Sequence, residues 1–171
     1  MLEKTGGQYT HAAIWAISAF AKLGFGDKAV EYFTMINPIE HTKTKDAARK
    51  FKVEPYVISA DIYGAENLKG RGGWTWYTGS SSWFCKAGLE NILGFKIKKD
   101  ILKIKPCISS KWEEYSIRYK YKTSIYNIKV KNPNRKCTGE NQIIYLNGQE
   151  IKEKQIKLED NNKINEIEII L

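Results

Sequence analysis

The chain has 171 residues, 42% of them hydrophobic, and carries 28 Lys/Arg against 19 Asp/Glu for a formal net charge of +9 at pH 7. That length suffices to bury a real core in one domain or two small ones. No uncharged apolar stretch reaches the ~20 residues a membrane span needs, and the three scattered cysteines, with only His11 and His41 beside them, offer neither a disulfide framework nor a zinc site. The expectation is a soluble cytoplasmic chain with reduced thiols, no metal and no membrane partner.

Helical signals come first. Residues 9–22 include the run Ala12-Ala13-Ile14-Trp15-Ala16-Ile17-Ser18-Ala19-Phe20-Ala21, apolar on nearly every face and rich in alanine, which predicts a helix buried all round. Gly24 and Gly26 supply its stop, and Asp27 is placed to cap a second, amphipathic helix over residues 28–36 that ends before Pro38. Such an αα-hairpin suits a layered toroid or solenoid. A short polar helix is predicted over residues 42–51, and a further apolar inner helix over 54–63 with Pro55 in its first turn. Residues 64–73 read as a glycine-rich loop, and a last helix runs from Ser80 or Ser81 to a stop at Gly94.

Beyond Phe95 the apolar period changes from about 3.6 to 2. Leu102/Ile104, Tyr115/Ile117/Tyr119/Tyr121 and Tyr126/Ile128/Val130 alternate with polar residues, as one-face-buried strands do. Asn147-Gly148 is a hairpin turn between Ile143-Ile144-Tyr145-Leu146 and Glu150-Ile151, and residues 164–171 form a strand that pairs inside a sheet. These features predict an α+β fold, with a boundary near residue 96 between helices and an antiparallel β-sandwich. Residues 96–171 hold 17 Lys/Arg against 10 Asp/Glu, mostly lysines alternating with apolar residues. That pattern reads as the solvated face of strands, not a nucleic-acid interface, because no recognition helix accompanies it.

The stretch Arg71-Gly72-Gly73-Trp74-Thr75-Trp76-Tyr77-Thr78-Gly79-Ser80 sets aromatic rings, glycines and hydroxyls against the start of a helix. Aromatic faces stack on sugar rings, and a Thr-Gly-Ser run opening a helix offers hydroxyls and backbone N–H groups to an oxyanion. The alternative is a packed loop whose tryptophans fill a core.

Four runs in order carry a resemblance: Gly6-Gly7-Gln8-Tyr9-Thr10-His11-Ala12-Ala13, Asn37-Pro38-Ile39, Lys52-Val53-Glu54-Pro55-Tyr56-Val57, and Gly70 through Ser80. With them the chain resembles the C-terminal part of glycoside hydrolase family 94, the inverting disaccharide and oligosaccharide phosphorylases formerly grouped with glycosyltransferase family 36. The wording is most similar to the branch acting on β-1,2-glucans, including the phosphorylase-like region of cyclic β-1,2-glucan synthases. The resemblance implies that residues 1–95 are the last helices of an α/α toroid and residues 96–171 a closing β domain.

It also implies a phosphate site drawing on His11, Thr78 and Gly79, and a sugar site drawing on Gln8, Tyr9, Glu54, Trp74 and Trp76, with inorganic phosphate as co-substrate and no other cofactor. The family's catalytic acid is an aspartate upstream, and Asp27, Asp46 and Asp61 do not sit in its motif, so no catalytic residue is assigned. From the residues themselves, Trp74 and Trp76 suit sugar platforms or packing, Glu54 a sugar hydroxyl or a helix cap, and Arg71 an anion ligand or a brace for the loop. Family members carry Glu-Asn where this chain has Lys4-Thr5, with Glu3 one place out of register. The expected function is that of a phosphorylase fragment that is inactive alone, working on a β-glucan with phosphate and completed by the missing N-terminal portion or by self-association. The other readings are a noncatalytic carbohydrate-binding or complementing subunit and, more remotely, a basic nucleic-acid-binding protein.

Overall fold

The computed structural model describes residues 6–76 and 78–171, with Thr78 described through its backbone only. The departure at Lys4-Thr5 lies outside the described residues. Strand β1 (Gly7–Tyr9) leads directly into helix α1 (Thr10–Lys22), which Gly24 ends before helix α2 (Gly26–Met35). Helix α1 is not buried all round. Its buried stripe is Thr10, Ile14, Ile17 and Ala21, whereas Trp15 is 60% exposed. One stripe at helical spacing is what a helix packed against a single layer needs.

A 3₁₀ turn (Glu40–Thr42) precedes helix α3 (Lys45–Phe51), so the polar helix expected from residue 42 is split. The Thr44 hydroxyl accepts from the Ala47 amide at 3.1 Å and caps α3. The inner helix expected over residues 54–63 does not form. Residues 55–56 turn, and the chain then runs extended into strand β2 (Asp61–Tyr63). Residues 57–61 are all buried in succession, and such a run suits a strand covered on both faces as well as a helix. The last helix, α4 (Thr78–Lys86), starts two residues early and widens into a π-helical turn (Ala87–Ile92) before Gly94.

Nine residues after α4 ends, at Phe95, the remaining strands begin. β3 (Phe95–Lys98), β4 (Ile101–Ile104) and β9 (Ile156–Lys157) form one antiparallel sheet. The other sheet has the order β5 (Glu114–Tyr121), β6 (Ser124–Lys131), β10 (Ile164–Ile170), β7 (Ile143–Leu146) and β8 (Gln149–Ile151). The Asn147-Gly148 turn forms as expected, with φ of 50° and 81°. The second sheet is not wholly antiparallel, because β10 runs parallel to β6, with Ile167 opposite Ile128 and Ile169 opposite Val130. The cause is a pin between the starts of the two strands. The buried Ser124 hydroxyl accepts from the amides of Asn161 and Asn162 at 2.8 and 3.1 Å and donates to Asn161 Oδ1 at 3.0 Å, and Ile125 N donates to Lys163 O. Both strands therefore leave the same end of the sheet.

Strand β6 buries Ser124, Tyr126, Ile128 and Val130 and turns its polar residues outward. There Lys129 meets Glu114 and Lys131 meets Glu168, each at 2.9 Å, so the lysine-rich face carries its own counter-charges. Such exposed pairs add little stability. The core is continuous from helices to sheets: Ile14 and Ile17 of α1, Ala87 and Ile92 of the π turn, Leu102 and Ile104 of β4, and Ile128, Val130, Ile167 and Ile169 form one buried cluster.

Asp27 does not cap α2, whose N-cap is Phe25. Its carboxylate instead reaches the segment before β5, accepting from Ser109 Oγ at 2.7 Å, Ser110 N at 2.8 Å and Ser110 Oγ at 2.9 Å. The Ser109 hydrogen bond, joined by those from Ser110 and opposed by partial burial, holds the carboxyl below its ordinary value. A depressed folded-state value contributes stability that is fully present above the unfolded carboxyl value near 4 and is lost as pH falls through the folded one. Asp27→Asn is expected to cost about 1 kcal/mol at neutral pH, a small figure because the side chain is exposed. Denaturant unfolding at pH 7 and pH 3 checks this: the gap between wild type and variant should narrow at the lower pH, and an unchanged gap contradicts the assignment.

Candidate functional site

Two of the sequence runs that stand out, residues 6–13 and 70–80, are brought together because β2 sits between them. On one edge β1 pairs with it antiparallel, with Gly7 opposite Tyr63, Gln8 opposite Ile62 and Tyr9 opposite Asp61. On the other edge the glycine-rich loop does the same. Gly70 N donates to Tyr63 O and Tyr63 N to Arg71 O, each at 2.8 Å, Gly73 N donates to Asp61 O at 2.9 Å, and Ala60 N donates to Trp74 O at 2.7 Å. Thr10 N donates to Ala60 O at 2.9 Å, so the start of α1 is tied to the same layer.

Glycine makes this layer possible. A Cβ on Gly73 would lie 1.9 Å from Asp61 Oδ1, and one on Gly72 2.3 Å from Val53 Cγ2. Asp61 is only 3% exposed, so its carboxylate has little room to retreat. The loop can therefore pack onto β2 at Gly73, and against Val53 and Phe51 at Gly72, only where both side chains are absent. Past it, Trp76 holds a φ of 64°, an uncommon state for an aromatic residue.

This backbone layer delivers two helix starts to one place. His11 is on the first turn of α1, and Gly79 on the first turn of α4. A Cβ added to Gly79 would stand 3.2 Å from His11 Cε1 and 4.0 Å from Nε2, so the imidazole edge lies against the glycine. At the far end of α1 and in the π turn that continues α4, Lys22 and Glu90 line one cavity, so the two helices run side by side in the same direction. Their positive dipole ends therefore converge at His11, where first-turn amides have no partner within their own helix. Two more rings flank the imidazole: Tyr9 at 5.9 Å between centroids, and Trp15 edge-on at 6.0 Å and 68°. The half-exposed imidazole, the glycine and the paired helix starts can together take an anion.

Of the residues expected from sequence, His11, Tyr9 and Gly79 meet here, and Thr78 opens α4 beside them. Trp74 joins through its backbone. Trp74 and Trp76 are 72% and 68% exposed, so they do not fill a core among the described residues and present their faces outward. Gln8 is exposed, and its amide nitrogen donates to Tyr9 O at 2.8 Å. Glu54 lies off the layer, half-buried in the turn where Val57 N donates to its carbonyl, and since no helix starts there it caps none. Arg71 is exposed on the loop. Trp15 is the residue that periodicity assigned to packing and that the structure sets beside His11. The signal for it was the i, i+4 spacing, which puts both on one helix face. Beside Tyr9 runs an apolar groove of about 520 Å³ lined by Gln8, Ala12, Ala16, Tyr32, Met35 and Ile62.

Residues 2–94 match the model of the glycosyl hydrolase 94 superfamily catalytic domain, and the match ends one residue before β3. The chain is 45% identical over 129 residues to the cyclic β-(1,2)-glucan synthase NdvB of Rhizobium meliloti (strain 1021), covering 75% of this chain and 5% of that protein. It is 32% identical over 151 residues to the N,N'-diacetylchitobiose phosphorylase of Vibrio furnissii, covering 88% of this chain and 18% of that one. To the solabiose phosphorylase of Paenibacillus borealis it is 29% identical over 149 residues, covering 86% and 19%. The chain thus spans less than a fifth of the length of these relatives.

Proposed function

The chain belongs to the glycosyl hydrolase 94 superfamily, and from that premise we propose that its helical part forms one wall of an inverting phosphorolysis site acting on a β-glucoside and inorganic phosphate. The observation that carries this is the contact of His11 with Gly79 where the starts of α1 and α4 converge. Phosphate is the ligand such a place favours: an imidazole donor, a glycine that permits close approach, first-turn amides and two helix dipoles of the same sign. In the reaction a phosphate oxygen attacks the anomeric carbon as the glycosidic C–O bond breaks. An acid protonates the departing oxygen, so sugar 1-phosphate and a free hydroxyl result. Phosphate does the work that an activated water does in an inverting hydrolase.

His11, Gly79 and Thr78 hold the phosphate. The exposed Trp74 and Trp76, with Tyr9, Gln8 and Glu54, take the sugar, and the 45% identity to a cyclic β-(1,2)-glucan synthase supports a β-1,2-linked glucan as that sugar. The acid is supplied from outside these 171 residues, which bind phosphate without turning substrate over. Trp15, Leu23, Phe25, Met35 and Ile39 are each more than half exposed on the helical part, and large apolar surface of this kind favours further packing. The rest of the catalytic domain, or a second copy, covers it.

Titration with inorganic phosphate, followed by the amide signals of His11 and Gly79, tests the reading. Both should shift with saturation, and His11→Ala should weaken binding about tenfold, the worth of one charge-assisted hydrogen bond. An unresponsive Gly79 amide, or an His11→Ala variant that binds as wild type does, would remove the phosphate site. Release of sugar 1-phosphate from β-1,2-gluco-oligosaccharides by the 171 residues alone would overturn the assignment of the acid.

A further inference from the structure

We propose that Trp15 is a positioning residue for His11, holding the imidazole in the orientation that faces the start of α4; this rests on the reading of His11 as a phosphate ligand. A tryptophan 60% exposed on a helix gains little from burial, and the stripe of α1 that enters the core is Ile14, Ile17 and Ala21. The environment of Trp15 is defined instead by what it touches. It lies one turn beyond His11 on the same face, and its ring meets the imidazole edge-on at 6.0 Å and 68°.

The need for such a contact follows from the side chain. Rotation about the bond joining an imidazole to its Cβ is broad and roughly two-fold, so an unflanked ring samples orientations that exchange its nitrogen and carbon edges. Here the ring is bracketed on three sides. Tyr9 stands at 5.9 Å and 34°, Trp15 at 6.0 Å, and Gly79 is close enough to Cε1 that even a methyl group would crowd it. Tyr9 is on β1, fixed by the pairing with β2, and Gly79 is on α4. Trp15 alone of the three shares a helix with His11, so it follows any movement of that helix. The edge carrying Cε1 and Nε2 is thereby kept toward α4, which is the direction a phosphate held by the α4 amides would occupy.

The experiment compares Trp15→Ala and Trp15→Phe in the 171-residue chain, reading the ring ¹⁵N signals of His11 and the affinity for inorganic phosphate. Trp15→Ala should give an exchange-broadened or tautomerically mixed His11 ring and bind phosphate about fivefold more weakly, the scale of one aromatic pair. Trp15→Phe, which keeps an edge-on ring, should restore a single ring state and bind within about twofold of wild type. A Trp15→Ala chain with the wild-type His11 tautomer and wild-type phosphate affinity overturns the proposal. If Trp15→Ala fails to give a dispersed amide spectrum, Trp15→Leu replaces it and is judged by the same two readouts. The ring signals need no phosphate, so a wild-type chain that ignores phosphate refutes the phosphate reading while the comparison of His11 ring states still decides the role of Trp15.

Discussion

Replacing Gly94 with alanine is expected to lower stability by about 3–4 kcal/mol and the unfolding temperature by roughly 10 °C. Gly94 sits at the junction of helix and sheet, with φ at 71°, and a Cβ there would fall 2.1 Å from both the carbonyl carbon and oxygen of Lys105 and 2.5 Å from Pro106 N. Left-handed backbone costs alanine about 1 kcal/mol relative to glycine. The rest comes from moving main chain, which cannot rotate aside as a side chain tip can. The junction is also densely bonded. Lys105 N donates to Gly94 O at 3.0 Å, Cys107 N to Ile92 O at 2.8 Å, and the Tyr115 hydroxyl to Leu93 O at 2.7 Å. Gly148→Ala is the control, because Gly148 has φ at 81° and nothing within 4 Å of its would-be Cβ. It should cost about 1 kcal/mol from strain alone. Thermal unfolding of both variants separates the terms, and equal losses would mean that the crowding at Lys105 carries no weight.

Much of the strand pattern was legible because a half-buried sheet writes its burial into every second residue. Tyr126, Ile128 and Val130 are buried as their alternation requires, and Asn147-Gly148 turns where two positive φ values are needed. Residues 57–61 were illegible for the opposite reason. Buried in succession, Val57-Ile58-Ser59-Ala60-Asp61 carry no alternation, and nothing local separates strand from helix there. The direction of β10 was hidden too, since it depends on Ser124 meeting Asn161 across 37 residues. At the candidate site the family resemblance named His11 and Gly79 together, but their contact depends on β2 lying between β1 and the glycine-rich loop. That arrangement is invisible once β2 is read as a helix. The exposure of Trp15 was hidden in the same way, because an alanine-rich helix with few polar residues gives no sign of which side lacks a neighbour.

Gly26→Ala is expected to cost about 3 kcal/mol and to disturb His11 from the far end of the helical hairpin. The first residue of α2 lies so close to the buried segment around Ile108 that a Cβ would stand 2.0 Å from Ile108 O and 3.0 Å from Cys137 Cβ. Ile108 is 0% exposed, and its amide already donates to Cys137 O at 2.9 Å, so that segment cannot yield cheaply. Helix α2 must lift instead. Asp27, the next residue, then loses Ser109 and Ser110, whose hydrogen bonds require the same close approach. The two positions act as one clamp, glycine allowing contact and aspartate bonding across it. The costs should therefore not add: Gly26→Ala combined with Asp27→Asn should be within about 0.5 kcal/mol of Gly26→Ala alone. Because α1 and α2 pack together through Phe20 and Tyr32, 5.2 Å apart, lifting α2 also loosens the helix that carries His11. Amide exchange should speed along both helices and hardly change in β6 and β10, whose backbones are paired with each other over seven residues, from Ile164 opposite Ile125 to Ile170 opposite Lys131. Additive losses in the double variant, or faster exchange spread evenly over the sheets, would show that the hairpin is not seated by this clamp.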